Sequence, residues 1–296
     1  CKSVEYLLGI ADQSCYMAKE KGGNRIHFFL DDDTEFSERW GEMQWISILN
    51  RAFAENAFCL YYQPIVAVID GNRKEHHELL LRLRDNKNRI ILPSLFLPAA
   101  QRYNLMTAID RWVVEFYLDF YQKNYQGILS ENIPVFTMNL SGSALNDDHF
   151  LKFLTEKLIS YRIPRNTICF EITETTAINN YNKAITFIKQ LKSMGCLFAL
   201  DDFGIGLSSF NYLKQLPIDY LKIDGSFIQN LQDNPLDFTI VESINEISHT
   251  LGIQTIAEVV ENEAVFEMVR KIGIDYGQGY WFGKPQPLEN IAIPKK

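Results

Sequence analysis

No apolar run in this chain approaches the roughly 20 residues that a membrane-spanning helix needs, and no signal-peptide pattern opens it. Cysteine is sparse and shows no pairing pattern. Cys1, Cys15, Cys59, Cys169 and Cys196 are odd in number and scattered, without a Cys-x-x-Cys pair. That argues against a disulfide framework or a zinc knuckle and for a reducing compartment, the cytoplasm. Positive charge is also short: 29 Lys and Arg face 37 Asp and Glu, a net charge of -8. A chain so acidic is not expected to bind nucleic acid in general, which takes clustered basic residues. Internal repeats, low-complexity tracts and Pro-rich linkers are absent. The chain opens on Cys1 rather than methionine, so the expectation is a piece of something longer, with any membrane anchor or sensor upstream.

The 296 residues that remain to be explained are 47% hydrophobic, which suits one large α/β domain and a small appendage, or two modest domains. Val4, Leu7, Leu8, Ala11, Cys15 and Ala18 recur at helical spacing, Gly22-Gly23-Asn24 stops that helix, and Ile26 to Leu30 reads as a short strand. Residues 36–56 predict a helix carrying Trp40, Met43, Trp45, Ile46, Leu49 and Phe53. From Phe58 onward strands alternate with helices. The strands are expected at 58–67, 76–83, 134–140, 168–173, 197–202, 219–224, 254–260 and 279–282. Helices are expected near 95–124, 144–161, 178–194, 207–215, 236–251 and 262–271. Runs such as Leu197-Phe198-Ala199-Leu200 suit strands buried on both faces, as in a parallel sheet. The pattern predicts a (β/α)8 TIM-like barrel, with a doubly wound open sheet as the alternative. Ile69-Asp70-Gly71-Asn72 joins the first two strands without a helix, which predicts an antiparallel pair and one antiparallel strand in the barrel.

Polar segments recur where these apolar runs stop. They are Glu78-Leu79-Leu80, Asn139-Leu140-Ser141, Glu171-Ile172-Thr173-Glu174, Asp201-Asp202-Phe203-Gly204, Lys222-Ile223-Asp224, Glu258-Val259-Val260-Glu261 and Gly277-Gln278-Gly279-Tyr280. Singly, each acid is an ordinary helix cap or loop residue. In series, at the C-terminal ends of barrel strands, they converge on one rim. Glu78 stands near the start of its strand, so it reaches that rim if its strand runs against the others. Glu78, Asn139, Glu171, Asp201, Asp202, Glu258 and Gln278 are oxygen donors, with Lys222 among them and no Cys or His at ligand spacing. Such a set suits Mg2+ or Mn2+ rather than zinc, and two such ions sharing Asp201 suit in-line attack of water on a phosphodiester.

These motifs resemble the EAL-domain cyclic-di-GMP phosphodiesterases, from about residue 43 to 296. Tyr62-Gln63-Pro64-Ile65-Val66 is similar to that family's opening strand, and Glu78-Leu79-Leu80-Leu81-Arg82 stands at its Glu-Ala-Leu-Leu-Arg signature. The other segments follow in family order. The resemblance implies hydrolysis of cyclic di-GMP to linear pGpG with Mg2+ or Mn2+, two per active site. Glu78, Asn139, Glu171 and Asp201 would hold one ion, and Asp201 and Asp202 would face the other. Glu258, a ligand or a base, and Lys222 would handle the attacking water, with Gln278 beside them. Gln63 and Arg82 would hold substrate, together with Leu81, Asn139 and Gly279, while Glu174 would brace the loop after Asp202. It also implies a homodimer through the EAL domain. Residues 1–33, with Ala11-Asp12, Tyr16 to Lys19 and Gly22 to Arg25, resemble the end of a GGDEF domain without its signature, and 34–56 would be a linker helix.

The chain departs from the pattern at a few positions. Leu79 replaces Ala, Val259 stands where Gly is usual, and Gln101 stands where Glu is common. Ile205 and Leu207 replace Thr and Tyr, which predicts a weak loop and modest basal activity raised by an upstream domain or dimer contact. A receptor that binds cyclic di-GMP without cleaving it, or a protein-interaction module, are the other readings. Degenerate members usually lose several ligands, and this chain keeps them all.

Overall fold

The computed structural model describes residues 45–69, 74–204 and 211–294. The chain divides into two compact units. In the smaller, a helix over 45–54 buries Leu49 and Ala52, and the helix Pro93–Arg102 buries Phe96, Ala99 and Ala100. Pro93 opens the second helix, where its missing N–H costs nothing. Phe58 lies 6.2 Å from Phe96 and 5.0 Å from Phe53, an aromatic core for this unit. Trp40, Met43 and residues 1–33 lie outside the described residues.

The larger unit is the barrel. Its strands are β1 (Phe58–Ala67), β2 (His76–Arg84), β4 (Val135–Asn139), β5 (Ile168–Thr173), β6 (Leu197–Phe203), β7 (Tyr220–Ile223), β8 (Gln254–Ala257) and β9 (Tyr276–Gln278). In the smaller unit the two-residue strand β3 (Ile90–Ile91) pairs with Leu83 and Arg84, the last residues of β2, and in the barrel β10 (Gln286–Pro287) pairs with β1. The order β1-β9-β8-β7-β6-β5-β4-β2 closes through a β1–β2 pairing. From β2 through β9 every barrel neighbour is parallel. The antiparallel strand is β1, which runs against β9 with Ile65 opposite Gln278. This corrects the expectation for Glu78. Its strand β2 runs with the others, in register with β4 so that Glu78 pairs with Thr137. Most of the turn between β1 and β2 lies outside the described residues.

Predicted helices break where the backbone turns left-handed or kinks. The 95–124 pattern is two helices, Pro93–Arg102 and Met106–Asn124, split beside Asn104 at φ 56°. The 178–194 pattern splits at Asn180 into Glu174–Asn179 and Tyr181–Ser193. The last strand lies at Tyr276–Gln278 instead of 279–282, which makes Gln278 its final residue. Ile205 and Leu207 lie outside the described residues, as do residues 207–210 of the helix expected at 207–215, and the described remainder is a turn followed by a 3-10 helix, Leu213–Gln215, instead of an α-helix.

Candidate active site

Side chains on a strand alternate between faces with a period of two. At the foot of the barrel an apolar layer gathers Ile65, Cys169, Ala199, Tyr220, Ile256 and Tyr276. His76 joins it, 5.1 Å from Tyr220, with its Nε2 2.6 Å from Thr137 Oγ1. Burial pushes His76 down to about 3, so it is a neutral core residue and no base. Two residues nearer the rim on those same strands stand Glu171, Asp201, Lys222, Glu258, Gln278 and Glu78. On β1 the chain runs the other way, so the matching residue, Gln63, precedes Ile65. A polar layer therefore sits directly on an apolar one.

Lys222 is the centre of that layer. The residue is 1% exposed. Its Nζ stands 2.7 Å from Glu258, 3.0 Å from Glu171, and 3.3 Å from both Glu78 and Asp201. Burial works against its charge, but the four carboxylates win and raise its pKa well above the ordinary lysine range. Glu78 accepts hydrogen bonds from Asn139 Nδ2 at 2.9 Å and Gln278 Nε2 at 2.7 Å. Gln278 Nε2 also reaches Gln63 Oε1 at 3.3 Å, and Gln63 donates to the Gly283 carbonyl at 3.0 Å. Position on β2 below the rim thus still delivers Glu78 to the cluster.

The charges do not balance. Four carboxylates face one ammonium, and burial, reinforced by Asp201, raises Glu171 well above the carboxylate range. Burial likewise pushes Glu258 up to about 7, against the pull of Lys222. Glu171 Oε2 is buried with no hydrogen-bond partner. At the mouth, Asp201, Asp202 and Glu258 each offer a carboxylate oxygen within 4.8 Å of the others. Adjacent aspartates reach one side because the register against β7 shifts between Leu200 and Phe203 and Asp202 adopts φ 56°. Orphaned buried oxygen, excess negative charge and an all-oxygen donor set fit a hard divalent cation.

The remaining expected residues ring this centre. Glu174 opens the helix after β5, accepts the Gly204 N–H at 3.3 Å and is hydrogen-bonded by the Tyr212 hydroxyl. Arg82 donates to the Leu81 carbonyl at 2.7 Å and lies 5.5 Å over the Tyr61 ring. Gly279 follows Gln278 where a Cβ would come within 2.1 Å of the Val260 carbonyl oxygen. Two residues escaped the sequence reading. Tyr212 gave no signal. Asp110 did: it interrupts the apolar stripe Ile109, Val113, Val114 and Tyr117 of its helix. It accepts the Ser141 hydroxyl at 2.5 Å, and Ser141 in turn caps the helix Gly142–Leu145 just after Asn139.

Among described residues no helix is long and apolar enough to cross a membrane. The model of the EAL domain family matches residues 46–285. The cyclic di-GMP phosphodiesterase PdeB of Shewanella oneidensis is 40% identical over 290 residues, 98% of this chain and 34% of that protein. The chain thus spans about a third of the length of this curated relative. The EAL domain of FimX from Pseudomonas aeruginosa bound to c-di-GMP superposes with a TM-score of 0.75 at 29% identity, over 82% of this chain and 96% of that one. A complex described as PaMucR phosphodiesterase with c-di-GMP gives 0.77 at 30% identity, over 84% and 100%. With the barrel, the antiparallel β1 and the acidic rim already in view, the chain belongs to the EAL domain family.

Proposed function

We propose that this chain is a metal-dependent phosphodiesterase that hydrolyses cyclic di-GMP to linear pGpG, using Mg2+ or Mn2+, two per active site. The observation that carries the reading is the buried Lys222 among four carboxylates, next to the Asp201, Asp202 and Glu258 group. Asp201, Asp202 and Glu258 would hold one divalent cation, and Glu78, Asn139, Glu171 and Asp201 the other. Bound there, such ions offset phosphate charge and make water acidic. Glu258, beside Asp201 and Asp202 at the mouth, would also be placed to accept a proton from the attacking water. Lys222, 2.7 Å from Glu258, orients that carboxylate and stabilises it once charged. Gln278 fixes Glu78, while Gln63, Arg82, Leu81, Asn139 and Gly279 line the way to substrate. Glu174 holds the Gly204 backbone that follows Asp202.

The wider setting belongs to the same proposal. It comprises a homodimer through the EAL domain, a GGDEF remnant over 1–33, a linker helix over 34–56, and a cytoplasmic site of action regulated from an upstream sensor. The test is incubation with cyclic di-GMP and Mg2+ or Mn2+, with chromatographic detection of pGpG. Binding without pGpG would replace the enzyme by a receptor, and absence of both would leave an interaction module.

A further inference from the structure

Val259 follows Glu258 and adopts φ 54°. A β-branched side chain in the left-handed region is a true outlier, held only where its surroundings over-determine it. The surrounding bonds hold it there. Glu258 N–H reaches the Ile223 carbonyl at 3.3 Å, Val260 N–H the Gln278 carbonyl at 2.9 Å, and Trp281 N–H the Val260 carbonyl at 3.0 Å. The side chain of Val259 is lodged against Gly225. A Cβ on Gly225 would lie 2.3 Å from Val259 Cγ2 and 2.9 Å from its Cβ. Gly225 has no positive φ, so its backbone does not require glycine, and the space taken by Val259 does. Gly225 opens the short helix Gly225–Ile228, directly after Asp224 and close in sequence to Lys222. The same helix touches the other strained turn of the site. Phe227 fills the space beside Gly204, where a Cβ would meet it at 2.7 Å, and Gly204 follows Asp202 and Phe203.

The geometry points to Gly225 as a positioning residue: its missing Cβ leaves the space that the Val259 side chain occupies, so the turn carrying Glu258 is not pushed out of place, and the same helix, Gly225–Ile228, packs through Phe227 beside the turn after Asp202. The two positions are coupled: residue 225 must lack a Cβ because residue 259 is valine. This rests on the metal-holding role proposed for Asp201, Asp202 and Glu258.

The test is the set Gly225→Ala, Val259→Gly and the double variant, each measured for melting temperature, Mn2+ affinity by calorimetry, and kcat and KM toward cyclic di-GMP. Gly225→Ala is expected to weaken Mn2+ binding and lower kcat by at least tenfold while KM stays within about threefold. Val259→Gly alone is expected to stay within about threefold of the parent in Mn2+ affinity and kcat. Adding Val259→Gly to Gly225→Ala is expected to restore Mn2+ affinity and kcat to within about threefold of the parent. A purely structural contact would change melting temperature without that split or that rescue. Gly225→Ala with parental Mn2+ affinity, or a double variant as impaired as the single, overturns the inference. If Gly225→Ala does not fold, the double variant decides: folded with parental Mn2+ affinity it supports the coupling, and unfolded or unable to bind Mn2+ it refutes it. Should the parent release no pGpG, the hydrolytic reading fails, and Mn2+ affinity across the set still judges the positioning role.

Discussion

Lys222 has four carboxylates within 3.3 Å and almost no water, so its loss would be felt first as stability. Removing one partner of a buried charge pair typically costs about 3–5 kcal/mol, because the other charge stays buried and unpaired. Lys222→Ala is therefore expected to lose stability of that order in urea denaturation without divalent ions, and to regain part of it with Mn2+. On the role proposed for Lys222, serving the attacking water through Glu258, the variant's kcat should fall far more than its KM rises. A variant as stable as the parent would remove Lys222 from the centre of the charge layer. Asp110 offers a second residue-scale test, behind the segment that carries Asn139. Burial pushes it up to about 7, against the pull of the Ser141 hydrogen bonds. Below about pH 4 folded and unfolded chains both hold the proton. Between about pH 4 and 7 only the folded chain holds it, so stability falls as pH rises across that window, by on the order of 4 kcal/mol at most. Asp110→Asn keeps an acceptor for the Ser141 hydroxyl and removes the titration. It should match the parent near pH 4 and exceed it in stability at pH 8. A gap that does not grow with pH would reject the assignment.

Among the elements, close approaches of backbone decide what the rim tolerates. Gly279 lies against Val260, whose carbonyl oxygen and amide nitrogen would stand 2.1 and 2.4 Å from an added Cβ. Backbone atoms held by the Val260 N–H to Gln278 and Trp281 N–H to Val260 bonds cannot step aside. Gly279→Ala should cost about 3 kcal/mol, the upper part of the overpacking range, and separate the end of β9 from Glu258. A urea midpoint unchanged from the parent would show that the turn yields. What could be read from the sequence follows from the same physics. The barrel strands were legible because most are short apolar runs with a polar residue at, near or just past their ends, and β1 and β5 have the expected bounds. The rim residues were legible for the same reason, since an apolar residue and a polar one two positions on place an acid above a core layer. The direction of β2 was not, because a hairpin fixes two strands relative to each other and leaves open which one opposes the barrel. Helix breaks at Asn104 and Asn180 were hidden inside unbroken apolar periodicity. The left-handed turn at Val259 was hidden because valine is the residue least suited to announce it.

At the scale of the whole molecule the governing fact is negative charge gathered where water is scarce. The chain carries -8 overall, and the barrel mouth concentrates Glu78, Glu171, Asp201, Asp202 and Glu258 around one lysine. Burying like charges opposes folding, so anything that neutralises them binds the folded chain in preference to the unfolded one. A ligand at a hundred times its Kd stabilises by about 2.7 kcal/mol. Mn2+ or Mg2+ should accordingly raise the melting temperature in a concentration-dependent way, and chelation should lower it. Ca2+ should raise it too, since the donors are hard oxygens, but it prefers longer and looser coordination and acidifies water less. Ca2+ is therefore expected to stabilise the barrel while inhibiting hydrolysis in competition with Mg2+. This separates the charge argument from the chemical one. No thermal shift with any divalent ion would mean that the cluster balances itself through protonation of Glu171 and Glu258, and full turnover in Ca2+ alone would contradict a Mg2+-type site.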